Sequence, residues 1–269
     1  MIADLHIHTT ASDGRLSPQE VVSQAAHAGL SYIAITDHDT VAAHIELRTG
    51  SAIAKLSIIP GIEFSTDLPR HEVHILGYFI DIDNNKLSDQ LDVILNDRLR
   101  RSRLIVDKLN KLGYSLDYNK VLAIAGQAKS VGRPHIAKAL VESDYFKTVT
   151  EAFKHVLAKN GPAYVPHYKL TPEQVIKLIE QAGGIAILAH PGLIGDDSLV
   201  IDLIRSGIQG LEVYYPEHDQ AMTAKYLAIA NKYNLKITGG SDFHAIPGRY
   251  PDRLGIFTVP SAIVDSLSM

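Results

Sequence analysis

The stretch DLHIHTTASDG, Asp4 to Gly14, is the one around which the rest of the chain is organised. Ala3, Leu5 and Ile7 alternate with Asp4, His6 and His8, the period-two pattern of a strand with two faces. His6 and His8 therefore point the same way. Two imidazoles at i and i+2 near a strand end can grip one divalent ion from a rigid platform, neutral imidazole being the commonest nitrogen ligand. Asp13, in the loop that follows, can add an oxygen ligand. A solvated strand face would show the same alternation, so the rest of the chain has to decide between the two.

Working outward, Ser17-Pro18-Gln19-Glu20 supplies an N-cap, a proline at the first helical position and a glutamate three residues on, a capping box for a helix over 18–28 that Gly29 stops. Residues 32–36 (YIAIT) read as a buried strand running into Asp37-His38-Asp39. A short strand over 57–60 delivers Glu63, and a fourth over 73–79 (VHILGYF) contains His74. The period then turns helical over 86–112, followed by shorter helices at about 118–125, 134–142 and 150–157, with no strand among them. This run is expected to be a helical insertion, residues 84–163, capping a barrel built from 1–83 and 164–269. Alternation resumes with a second capping box at Thr171 and a helix to Gly183. A strand over 185–189 then carries His190, a sixth strand covers 211–214, and a seventh over 236–238 leads into Gly239-Gly240-Ser241-Asp242-Phe243-His244. Seven strands in βα alternation predict a parallel α/β barrel.

The composition narrows the chemistry. With 269 residues, 46% hydrophobic, the chain can bury a large core. Lys and Arg number 26 against 30 Asp and Glu, a net charge of −4, so neither stable duplex DNA binding nor adhesion to an anionic membrane is expected. There is no cysteine, which removes disulfides, thiolate metal sites and a cysteine nucleophile together. No apolar run approaches the roughly 20 residues of a membrane span and no signal-peptide pattern is present. The expectation is a cytoplasmic protein, monomeric or weakly oligomeric.

His6, His8, Asp13, His38, Glu63, His190, Asp242 and His244 fall at or just beyond predicted strand ends, and His74 falls inside its strand. In α/β barrels the carboxyl ends of the strands converge on one site. Nine ligand-type side chains are too many for one ion, so at least a binuclear centre is expected. GxSxG, P-loop and GxGxxG patterns are absent, which removes the simplest rival enzymes.

HIHTTASDG, TDHD, PGIE, VHILGYF, AHPG and GGSDFH, in this order along the whole chain, resemble the metal motifs of the polymerase and histidinol phosphatase (PHP) superfamily. The insertion, with SVGRPHIAKAL inside it, looks more like the subgroup acting on nucleotides or short RNA. The resemblance implies a distorted (β/α)7 barrel and a metal-dependent phosphoesterase in which water, activated by divalent ions, attacks phosphorus. It implies one ion on His6, His8, Glu63 and Asp242, a second on Glu63, His74 and His190, and a third on Asp13, His38 and His244. Glu63, Asp242 and His190 would be central to catalysis. Mixed imidazole and carboxylate ligation suits manganese, iron and zinc alike; two or three ions are expected, manganese or iron before zinc.

Arg133 and His135, with Ser130 nearby, start a predicted insertion helix, where backbone N–H groups and the positive dipole end favour a phosphate. Arg98 and Arg101, three apart on the long helix, can contribute from one face. The expected substrate is a nucleotide, such as the 3′-phosphate of a nucleoside 3′,5′-bisphosphate, or a short 5′-phosphorylated RNA. Alternatives are a histidinol-phosphate phosphatase, an amidohydrolase, for which no bridging lysine is evident, and a non-catalytic PHP module of a larger assembly. His27, His44, His71, His155, His167 and His218 lie outside the motifs and read as surface or core residues.

Overall fold

The structure is a computed structural model describing residues 1–48, 55–68, 71–126, 131–166, 168 and 170–267. Ser130 and His167 lie outside them. The chain divides into two compact units, Met1–Gln90 with Lys169–Met269, and Leu91–Tyr168.

The first unit is an eight-stranded sheet. Its strands are β1 (Ile2–Ile7), β2 (Tyr32–Ile35), β3 (Ser57–Asp67), β4 (Glu72–Tyr78), β5 (Ile185–Leu188), β6 (Gly210–Tyr214), β7 (Lys236–Gly239) and β8 (Val259–Pro260). They lie in the order β7-β6-β5-β4-β3-β2-β1-β8. Beyond β7 the chain returns to the end of β1, where His8 N–H donates to the Phe243 carbonyl at 2.9 Å, so the sheet nearly closes into a barrel. Between strands run α1 (Pro18–His27), the short α2 (Ala42–Leu47), α7 (Pro172–Gln181), α8 (Asp197–Arg205) and α9 (Gln220–Tyr233). Both anticipated capping boxes form, Ser17 with Glu20 and Thr171 with Gln174.

Three features depart from simple βα alternation. β3 extends well past Pro60, and β4 pairs with it in antiparallel register, Glu63 opposite Leu76 and Ser65 opposite His74. Among the described residues no helix intervenes; Leu68 and His71 exchange both backbone N–H···O bonds, at 3.0 and 3.3 Å, between the two strands. β4 is antiparallel to β5 as well. Reversal explains the placing of His74: the start of an antiparallel strand lies at the same edge as the ends of the parallel ones. The third departure is β8, two residues added antiparallel to β1 and followed by α10 (Ala262–Leu267).

One barrel cluster joins Leu5, Ile59, Leu76, Tyr78 and Ile187, and another packs Val21, Val22 and Ala25 of α1 against Ile7, Ile33 and Ile35. Asp4, His6 and His8 are as buried as these apolar neighbours. That excludes the solvated strand face.

In the second unit the remainder of α3 (Asn85–Lys111) packs with α4 (Tyr118–Ala125), α5 (Arg133–Val141), α6 (Val149–Ala152) and a π-turn at Phe153–Leu157. Ile105, Val106, Leu109, Val121, Ile136, Leu140, Val156 and Leu157 form its own core. Asp117 caps α4 and Thr148 caps α6.

Candidate active site

Glu63 is the centre of the barrel's polar cluster. Its Oε2 lies 3.3 Å from His6 Nε2, 3.2 Å from His8 Nε2 and 3.1 Å from His38 Nδ1. Its Oε1 lies 2.9 Å from His74 Nδ1 and 3.2 Å from His190 Nε2. One carboxylate thus faces five imidazoles from four chain segments. Asp242 Oδ1 approaches His8 Nε2 at 3.2 Å and His6 Nε2 at 3.5 Å. On the other side of His8, Asp13 Oδ1 stands 3.8 Å from its Nδ1 and 3.2 Å from His244 Nε2. All nine sequence candidates in the barrel therefore meet at one end of the sheet.

Local backbone explains the convergence. Past β2, His38 bridges to Glu63 in parallel fashion and Asp39 N–H donates to the Glu63 carbonyl at 2.9 Å. His190 holds φ 28° and ψ 61°, and Asp242 holds φ 51°. Such conformations are costly outside glycine and persist where surroundings over-determine them. Two motif glycines permit close approach: a Cβ on Gly14 would collide with the His8 carbonyl, and one on Gly240 with the His6 backbone.

The electrostatics call for added positive charge. Burial opposes ionisation of Glu63, but His38, His74 and His6 hold its carboxyl well below the usual range. Asp13 and Asp242 are held low in the same way, each chiefly by His244 against burial. Burial disfavours a charged His8, yet Asp242 and Glu63 push its pKa up to about 9, and Glu63 lifts His74 to about 10. His38 goes the other way, to about 4, because burial outweighs its carboxylate neighbours.

The donor set fits divalent ions. His8 Nδ1, His38 Nδ1, Glu63 Oε2 and His74 Nε2 are buried without a hydrogen-bond partner, and His6 Nε2 lies 3.1 Å from His8 Nε2. Two ligands about 2.1 Å from one ion stand roughly 3.0–3.4 Å apart, so these spacings match edges of coordination polyhedra. Among the described residues three groups have atoms mutually within 4.8 Å: His8, Asp13, His38 and His244; His6, His8 and Glu63; His38, Glu63 and His74. His8 and His38 each join two groups, a sharing the sequence did not disclose.

Sequence reasoning passed over four further residues. Asp37, almost fully buried, accepts from Thr9 N–H at 2.8 Å, from Thr9 Oγ1 at 2.7 Å and from the Ser12 hydroxyl, tying down the loop that carries Asp13. Glu212 accepts from His6 and His190. Asp242 Oδ2 accepts from Tyr215 at 3.1 Å and from Arg249 Nη2 at 2.7 Å. Glu212 gave a signal, a lone acid in the apolar strand LEVY, whereas Arg249 lies in an irregular segment with no pattern. His218, expected to be a surface or core histidine, is buried: Nδ1 donates to the Val213 carbonyl at 2.9 Å and Nε2 accepts from Gly192 N–H at 3.1 Å, holding the turn after His190.

Within the second unit, a Cβ on Gly132 would stand 3.8 Å from Arg98 Nη1, which puts that guanidinium beside the start of α5. His135 Nδ1 accepts from Gly132 N–H at 3.1 Å, and Arg133 Nη1 reaches the Leu157 carbonyl at 3.4 Å. Arg101 is buried and its Nε donates to the Val165 carbonyl at 2.7 Å.

The PHP domain model matches residues 4–161. A 5′-3′ exoribonuclease Rnm of Salmonella typhimurium is 36% identical over 259 residues, covering 91% of this chain and 85% of that protein. A 3′,5′-nucleoside bisphosphate phosphatase of Chromobacterium violaceum is 33% identical, covering 91% and 87%. A Bifidobacterium adolescentis crystal structure, designated a candidate metal-dependent phosphoesterase, superposes with TM-score 0.88 at 31% identity, covering 98% of this chain and 94% of that one. The motifs, the nearly closed barrel and these likenesses lead to one conclusion: the chain belongs to the PHP domain family.

Proposed function

We propose that His6, His8, Asp13, His38, Glu63, His74, His190, Asp242 and His244 hold two or three divalent ions, manganese or iron before zinc, and that the enzyme removes the 3′-phosphate of nucleoside 3′,5′-bisphosphates or trims short 5′-phosphorylated RNA. The chain is a phosphoesterase of the nucleotide- and RNA-acting kind, as its exoribonuclease and bisphosphate phosphatase relatives indicate. The observation that carries the metal reading is Glu63, whose two oxygens face five imidazoles.

Divalent ions bound there supply Lewis acidity toward phosphoryl oxygens and lower the pKa of water toward neutrality. The protein's part is to hold the donors in place before substrate arrives. Glu63 spans the groups of His6 and His74, while Tyr215 and Arg249 bond Asp242 Oδ2 and leave Oδ1 facing the histidines. A preorganised site of this kind avoids reorganisation as charge builds on the phosphoryl group.

Residues 84–163 are proposed as a domain serving substrate choice, with Arg133, His135, Arg98 and Arg101 as phosphate contacts and Ser130, outside the described residues, as a further one. The position of Arg98 beside the N-terminus of α5 supports this. The hydrogen bonds of Arg101 and His135 show that each also has a structural part. Among the described residues no helix is long and apolar enough to cross a membrane; we place the enzyme in the cytoplasm, as a monomer or weak oligomer.

The test is to supply manganese and measure products from adenosine 3′,5′-bisphosphate, from 5′-phosphorylated RNA oligomers and from histidinol phosphate. Release of inorganic phosphate from the first, or of mononucleotides from the second, is expected. Preferential turnover of histidinol phosphate would overturn the substrate assignment.

A further inference from the structure

Glu212 is a fully buried carboxylate in β6, outside the nine proposed ligands. Its Oε1 accepts from His6 Nδ1 at 2.9 Å and its Oε2 accepts from His190 N–H at 2.8 Å. A buried carboxylate is costly unless hydrogen-bonded, and here both oxygens bond to proposed ligand residues, one on β1 and the other just past β5.

The two bonds act differently. A carboxylate at Nδ1 fixes His6 as the Nδ1–H tautomer and leaves the Nε2 lone pair toward Glu63, Asp242 and His8. The bond to His190 N–H holds a residue whose φ of 28° and ψ of 61° are sparsely populated. The His6 and His190 rings stack, centroids 5.8 Å apart and planes within 19°. Both present Nε2 to Glu63, His6 to Oε2 at 3.3 Å and His190 to Oε1 at 3.2 Å. Glu63 thus faces this pair of rings from the donor side, and Glu212 holds the same pair by its other groups.

We infer that Glu212 is a positioning residue that sets the His6 tautomer and the His190 backbone together, so that retention of divalent ions at two places depends on one buried carboxylate. This rests on the metal reading proposed above. Partners of this kind behind metal-ligating histidines typically affect affinity by about 10- to 100-fold when removed.

The test titrates the full-length, metal-stripped wild type, Glu212→Gln and Glu212→Ala with Mn2+ alone, reading free ion by its paramagnetic resonance signal. Far-UV circular dichroism and melting in chelator run alongside. Glu212→Ala is expected to weaken Mn2+ binding roughly 10- to 100-fold. Glu212→Gln, isosteric but able to offer only one acceptor oxygen, should fall between it and wild type, and it carries the test if the alanine variant does not fold. A glutamine variant that melts lower in chelator yet binds Mn2+ like wild type would overturn the inference and make Glu212 a packing residue only. A wild type that binds no Mn2+ would overturn the metal reading itself, a distinguishable failure.

Discussion

The two units bury different chemistry. In the barrel, Asp4, His6, His8, Glu63, His190, Glu212 and Asp242 are all buried, and most of them face one another. In the helical unit the core is a set of aliphatic side chains, and its buried polar groups are scattered, each tied to nearby backbone and in part to a neighbouring side chain: Arg101 to the Val165 carbonyl, Ser102 to the Leu99 carbonyl and the Tyr118 hydroxyl, and Asp97 to Tyr168 N–H and Arg100. Strands fixed by a hydrogen-bonded ladder can aim charged groups at a common point, with added cations offsetting their repulsion. Helices joined by short turns depend on apolar burial, worth about 25 cal/mol per Å2. Substitutions in the barrel cluster should therefore change chemistry at little cost in fold, and those in the helical core should do the reverse.

The largest expected effect is on activity. His8→Ala and Asp242→Ala should each lower kcat/KM roughly a thousandfold or more with the circular dichroism spectrum unchanged. If either unfolds the protein, the barrel cluster is holding the fold as well and the contrast fails. Next comes Leu109→Ala at a fully buried helical position, expected to lower unfolding free energy by about 2–5 kcal/mol in a denaturant titration. Manganese bound per folded chain should stay the same.

Asp37→Asn sharpens the contrast at intermediate size. Asp37 is not among the nine proposed ligands; its carboxylate bonds Thr9 and Ser12 on the Asp13 loop, and its backbone carbonyl accepts from Glu63 N–H at 3.3 Å. Its loss should weaken manganese binding by about tenfold, read by the same resonance signal. The smallest effect belongs to Ser17→Ala, which removes the α1 cap and should cost about 1 kcal/mol in unfolding free energy without changing activity per folded molecule.

The candidate site was more legible than the path of the chain through it. His6 and His8 declared themselves because strand alternation is a local property of sequence, and DHD, AHP and SDFH are compact clusters at strand ends. The β3–β4 hairpin was not legible. Strand direction depends on pairing, and DLPRH between two apolar runs can turn a chain either into a hairpin or toward a crossover. For that reason His74 looked misplaced within its strand until β4 proved antiparallel. Glu212 and Asp37 act through partners distant in sequence, so spacing alone could not assign them. Arg249 contacts Asp242 across an irregular segment in which no period exists to read.

Glu63, whose two oxygens face five imidazoles, would under the proposed reading serve more than one divalent-ion site. Elemental analysis of wild type and Glu63→Ala, loaded with manganese and desalted, tests it most directly. Wild type is predicted to keep at least two ions per chain, and Glu63→Ala to lose more than one while its secondary structure remains. A variant that keeps the wild-type count, or a wild type holding a single ion or none, would contradict the claim.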